Sequence, residues 1–178
     1  MMVSPLPLLR HAQAHGYAIP AFNVNHLETV LAVMDAAVEL RSPVILQTSE
    51  GAIEYATMTM LVAMARAAAE APVPVVLHLD HGKDLPLLRK AIESGYTSVM
   101  FDGSSLPYAE NVKQTRQVVR WAREHGVAVE AELGRIPGTE DKLSVPSHEA
   151  LLTDPEEAAA FAKETECDSL AISIGTQH

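Results

Sequence analysis

Six strand-length apolar runs alternate with longer segments of helical period, which marks the chain as α/β: a parallel sheet covered by helices and built from six successive β-α units. Three observations carry this expectation. The runs are apolar on both faces rather than alternating, as strands buried on both sides are. Helical segments separate them. Each run also delivers a polar group at its carboxyl end, which suits a (β/α)8 barrel, where the strand ends converge on one mouth.

In chain order the strands are read at residues 18–24, 44–47, 73–79, 98–101, 127–132 and 169–174. Residues 27–40 form a helix because Val30, Leu31, Val33, Met34, Ala37 and Val38 make one apolar stripe. Residues 106–125 and 155–164 follow the same period. The latter opens on "DPEE", with Asp154 as N-cap, Pro155 at the first helical position and Glu157 at the third. An open doubly wound sheet is the other usual outcome of such an order, but no G-x-G-x-x-G follows the first strand.

The strand ends carry Asn23 and Asn25, Gln47 and Ser49, Asp80 and His81, Asp102, Glu130 and Glu132, and His178. In a barrel these distant residues become neighbours. The chain has 178 residues and a net charge of −10, which argues against nucleic acid as a partner, because a general attraction for phosphate needs the opposite sign. A single cysteine, Cys167, excludes an intrachain disulfide and points to a reducing, cytoplasmic setting. No segment reads as a signal peptide or a membrane span, so no membrane partner is expected.

Imidazole and carboxylate ligands suit a divalent ion such as zinc. His81 and His178, from different strands, are candidates for two ligands, and Glu132 and Asp102 for others. His11, His15, His26, His125 and His148 read as solvated side chains; His78 reads equally well as a packed core histidine. Asp80, beside a candidate ligand, is placed to exchange a proton with substrate, the alternative being a loop-capping aspartate. Residues 134–148, "GRIPGTEDKLSVPSH", read as a lid or an exposed insertion.

"VVLHLDHG", "SVMFDGSS", "VEAELGRIPGTED", "LLTDPEEAAAF" and "DSLAISIGTQH" together resemble the class II, metal-dependent fructose-bisphosphate and tagatose-bisphosphate aldolases, in order and over the whole chain. The resemblance implies a TIM barrel. It also implies that His81 and His178 are zinc ligands and Asp80 the acid/base group, with Asp102 and Glu132 belonging to an alternative position of the metal. A further divalent ion and a monovalent cation come with the same likeness. Ser49 matches a residue contacting the glyceraldehyde 3-phosphate end, Asn23 lies near it, and Glu140 matches a glutamate that moves the carbon proton of dihydroxyacetone phosphate. Lys83, Lys90, Lys113, Lys142 and Lys163 do not end an apolar strand, so a lysine Schiff base is not expected.

The expected activity is therefore reversible zinc-dependent aldol cleavage of fructose 1,6-bisphosphate by a homodimer or homotetramer. Tagatose 1,6-bisphosphate, its epimer, is an alternative substrate, and a non-catalytic barrel binding a sugar phosphate is a reading from another class. Residues 1–178 are expected to be the amino-terminal part of one barrel domain, because six strands would leave two apolar edges open.

Overall fold

The computed structural model describes residues 2–134, 138–140, 143–145 and 152–176. Helix α1 (Pro5–His15) precedes β1 (Ala21–Asn23), α2 (Leu27–Glu39) and β2 (Val44–Thr48). Two helices, α3 (Glu50–Ala56) and α4 (Met58–Ala68), lead to β3 (Val75–Gly82), α5 (Leu85–Ser94) and β4 (Ser98–Phe101). Helix α6 (Tyr108–His125) and β5 (Ala128–Leu133) follow. A small antiparallel pair, β6 (Gly138–Glu140) and β7 (Leu143–Val145), then precedes α7 (Pro155–Thr165) and β8 (Ser169–Ile172).

The six main strands are all parallel and lie in the order β1-β2-β3-β4-β5-β8. A doubly wound sheet reverses its strand order at a switch point; this sheet never does. It is an arc of a barrel, with β1 and β8 as its two edges. Among the described residues no helix is long and apolar enough to cross a membrane.

Local chemistry sets the element ends. Asp84 caps α5 by accepting from Leu87 N, and Gly95 closes that helix in the left-handed conformation, which costs glycine little. Asp154 caps α7 through the amides of Glu156 and Glu157, as "DPEE" predicts. His26, expected to be idle, caps α2 by accepting from Thr29 N. The first strand is shorter than read, because Pro20 has no N–H to give to the ladder. Helix α1 was not foreseen in the sequence; its Pro5 and Leu9 reach into the barrel interior.

The apolar core lies between the sheet and the helices. Val44, Leu46, Val75, Leu77, Leu79, Val99 and Phe101 pack against Val30, Met34, Val62, Leu88, Ile92 and Val118. The inner face is different from the apolar one expected: Gln47, His78, Asp80, Ser98 and Glu130 line a cavity of about 270 Å³ there. Facing one another across a narrow interior, these groups can satisfy each other. His78 Nδ1 lies 2.8 Å from Ser98 Oγ, so this imidazole is a packed, hydrogen-bonded one. Burial, and then the charge of His81, pushes its pKa down to about 4.

Outside the barrel wall Tyr96 and Thr48 share a buried hydrogen bond of 2.8 Å. Tyr96→Phe removes one partner and strands the other, so it should cost about 1–3 kcal/mol. Urea unfolding should show a lower midpoint with an unchanged slope; an unmoved midpoint would mean that water replaces the phenol.

Candidate active site

The polar strand ends meet at one mouth, and β3 supplies two of them through a local irregularity. Leu79 pairs with Val99 but Gly82 with Phe101, so three steps on β3 match two on β4. One extra residue is inserted. The bulge is accompanied by a left-handed backbone at His81, whose φ is 46°. Gly82 permits it, since a Cβ there would stand 3.0 Å from the carbonyl oxygen of Met100. The strand thus runs through Gly82 instead of ending at Leu79, and adjacent residues serve two different groupings.

In the first grouping, His81 Nδ1 lies 3.3 Å from Asp102 Oδ2 and 3.4 Å from Glu132 Oε2. Asp102 Oδ1 also accepts from Ser104, from the amide at 3.1 Å and from the hydroxyl at 2.6 Å. Lys83 Nζ stands 3.7 Å from Asp102 Oδ2. Glu132 Oε2 is buried and has no hydrogen-bond partner among the described residues; its neighbour there is the His81 ring. A buried carboxylate oxygen in that state is costly unless something else holds it.

Electrostatics agree with the geometry. Burial alone would lower the pKa of His81, but the Asp102 hydrogen bond and the charges of Asp80, Glu132 and Asp102 outweigh it and raise the pKa to about 9. Burial opposes ionisation of Asp102 too, yet His81 and Ser104 bring it down to about 2. Glu132 is raised to about 7 by burial and then by Asp102. Without a metal, the positive charge of a protonated His81 faces both acids. One nitrogen and two carboxylate ligand atoms lie within 4.8 Å of one another, so a divalent cation can take over that part. The donor set and the orphaned Glu132 oxygen fit such an ion.

The second grouping runs across β1, β2 and β3. Gln47 Nε2 donates to Asp80 Oδ2 at 2.8 Å and also to Asn23 Oδ1. Asp80 is therefore oriented by a neutral amide and stands outside the His81, Asp102 and Glu132 cluster. Asp80 lies within β3, two residues before its end. Glu130, with a pKa raised to about 7 by burial and then by the Asp80 charge, lies deeper beside His78, at 3.9 Å. Ser49 caps α3 through Ala52 N and, with Asn23, Asn25 and Gly51, lines a second cavity of about 340 Å³.

The structure thus brings together His81, Asp102 and Glu132, with Asp80 adjacent, and places Asn23 and Ser49 on the β1–β2 side of the mouth. His178 lies outside the described residues, as does the side chain of Glu140, whose backbone belongs to β6. Most of the expected lid, residues 134–148, also lies outside them; its described parts are Gly134, β6 and β7. Gln47, the residue that orients Asp80, was visible only as one more polar strand end.

Among curated proteins the chain is 48% identical over 181 residues to the fructose-bisphosphate aldolase of Thermus caldophilus, covering 100% of this chain and 58% of that protein. It is 50% identical over 185 residues to the fructose-bisphosphate aldolase of Treponema pallidum (strain Nichols), covering 99% of this chain and 55% of that one. The chain therefore spans little more than half the length of these relatives. Among solved structures, the YdjI aldolase from Escherichia coli K12 superposes with a TM-score of 0.89 at 35% identity, covering 100% of this chain and 64% of its own. The model of the class-II fructose-bisphosphate aldolases matches residues 3–178, and together with the barrel mouth just described it shows that the chain belongs to that family.

Proposed function

We propose that the protein is a zinc-dependent fructose-1,6-bisphosphate aldolase that reversibly forms dihydroxyacetone phosphate and glyceraldehyde 3-phosphate. The observation that carries this reading is the cluster of His81, Asp102 and Glu132 at the barrel mouth, with Asp80 held beside it by Gln47. The names of the two curated relatives support the choice of fructose bisphosphate over its tagatose epimer. Comparing cleavage rates on the two sugars tests that choice; a faster rate on tagatose 1,6-bisphosphate would reverse it.

His81 and His178 would hold the zinc, and Asp102 and Glu132, with His81, would form an alternative or second divalent position. A monovalent cation is part of the same reading. Zinc, when bound, supplies a Lewis acid for the oxygens of dihydroxyacetone phosphate. The protein's own groups do the rest. In cleavage Asp80 takes the proton of the C4 hydroxyl as the C3–C4 bond breaks, the aldehyde leaves, and the electron pair remains on the dihydroxyacetone phosphate carbon. Glu140 returns a proton to that carbon. Gln47 keeps Asp80 turned toward the reacting hydroxyl, and Asn23 and Ser49 bind the glyceraldehyde 3-phosphate end.

We place the protein in the cytoplasm, a reading supported by its lone, unpaired Cys167. Assembly into a homodimer or homotetramer is supported by the exposed apolar Leu27, Leu31 and Met60 on α2 and α4, and sedimentation tests it.

Chelation should abolish cleavage while leaving most of the far-ultraviolet helical signal, because the apolar core between sheet and helices does not involve the cluster. Cleavage at full rate after exhaustive chelation, confirmed by metal analysis, would overturn the zinc reading.

A further inference from the structure

We infer that Asn111 is a positioning residue that sets the separation of Asp102 and Glu132, and through it the affinity of their cluster with His81 for a divalent ion. The inference rests on the reading of that cluster as a metal centre.

Asp102 and Glu132 stand just beyond the point where their strands stop pairing. The β4–β5 ladder ends at Phe101↔Ala131, so no direct pairing of these two strands sets the distance between Asp102 and Glu132; in the sheet each is tied to its other neighbour, Asp102 to Gly82 and Glu132 to Ala171. Asn111, in the first turn of α6 and 1% exposed, fills that role from outside the barrel wall. Its Nδ2 donates to the backbone carbonyl of Glu132 at 3.0 Å. On its other side the carboxamide lies against Gly103, the residue after Asp102. A Cβ on Gly103 would stand 2.2 Å from Asn111 Oδ1 and 2.6 Å from its Cγ, so only glycine leaves room for the amide.

One planar group is therefore wedged between the backbones that carry the two carboxylates. Its own orientation is fixed by the hydroxyl of Thr115, which donates to Oδ1 at 3.1 Å and is itself buried. The alternative is that Asn111 merely holds α6 on the sheet. Val118, also fully buried on α6 and part of the apolar core, touches that packing without bonding to Glu132, and it separates the two.

The test uses the full chain, freed of metal, and titrates cobalt(II) by its visible absorption, with thermal melts of the metal-free proteins alongside. Asn111→Leu keeps the bulk and removes the donor; it should weaken cobalt binding by roughly 10–100-fold, the usual cost of losing an outer hydrogen-bond partner of a metal site. It should also shift the cobalt spectrum. Val118→Ala should lower the melting temperature but bind cobalt like the parent. If Asn111→Leu does not fold, Thr115→Val, which frees only the Oδ1 end of the amide, should weaken binding by roughly 3–10-fold. Parental affinity in the Asn111 and Thr115 variants would overturn the inference. So would an equal loss of affinity in Val118→Ala. A parent chain that bound no cobalt would instead overturn the metal centre itself.

Discussion

Asp80→Ala is expected to lower the rate of fructose 1,6-bisphosphate cleavage by roughly 10²–10⁴-fold, the usual worth of a positioned acid/base group, while the bound zinc stays near the parental amount. Asp80 shares a strand with His81, yet its Oδ2 accepts from Gln47, whereas His81 turns to Asp102 and Glu132. Exchange of the dihydroxyacetone phosphate carbon proton does not need the hydroxyl proton to move, so it should survive better than cleavage. Zinc content, cleavage and exchange are to be measured on one purified preparation. Parallel loss of all three would mean that Asp80 supports the metal site or the fold, and its catalytic role would be withdrawn.

His81→Ala should lose metal and activity together. Here the imidazole is the shared neighbour of both carboxylates, and its removal leaves Asp102 and Glu132 facing each other across a buried gap. The ion loses a nitrogen ligand, so the fall in affinity should exceed the roughly 10–100-fold that follows loss of an outer hydrogen-bond partner. Equilibrium dialysis against zinc, with activity assayed on the same samples, measures it. A His81→Ala protein that retained stoichiometric zinc would remove His81 from the ligand set. The expected contrast between the two variants follows from the β3 bulge and the left-handed His81, beside which the two neighbouring side chains meet different groups.

Much of the site can be read along the chain because its residues sit at strand ends. A parallel strand buried on both faces is apolar until it emerges, so the polar residues at or just past the end of each run, Asn23, Gln47, Asp80, Asp102 and Glu132, mark the barrel mouth without any knowledge of contacts. The same logic puts Glu130 at the mouth, whereas it lies in the interior beside His78, which reads equally well as a packed core histidine. His78, Ser98 and Glu130 look out of place in apolar runs, and only the inward cavity they share accounts for them. His26 likewise shows no partner pattern, because a cap is defined by the turn that follows it and not by its own spacing.

Composition and hydrophobic period were enough for the order of the six parallel strands, for helices α2, α6 and α7 and for the cap at Asp154, since each of these depends on residues close in sequence. Tertiary structure decided which polar groups act together. The bonds from Gln47 to Asp80, from His81 to Asp102 and from Asn111 to Glu132 span 33, 21 and 21 residues, and each depends on the register between strands or on a helix laid across them. A one-residue bulge turns every later side chain on its strand to the opposite face, and no local pattern in the chain records where that residue is inserted.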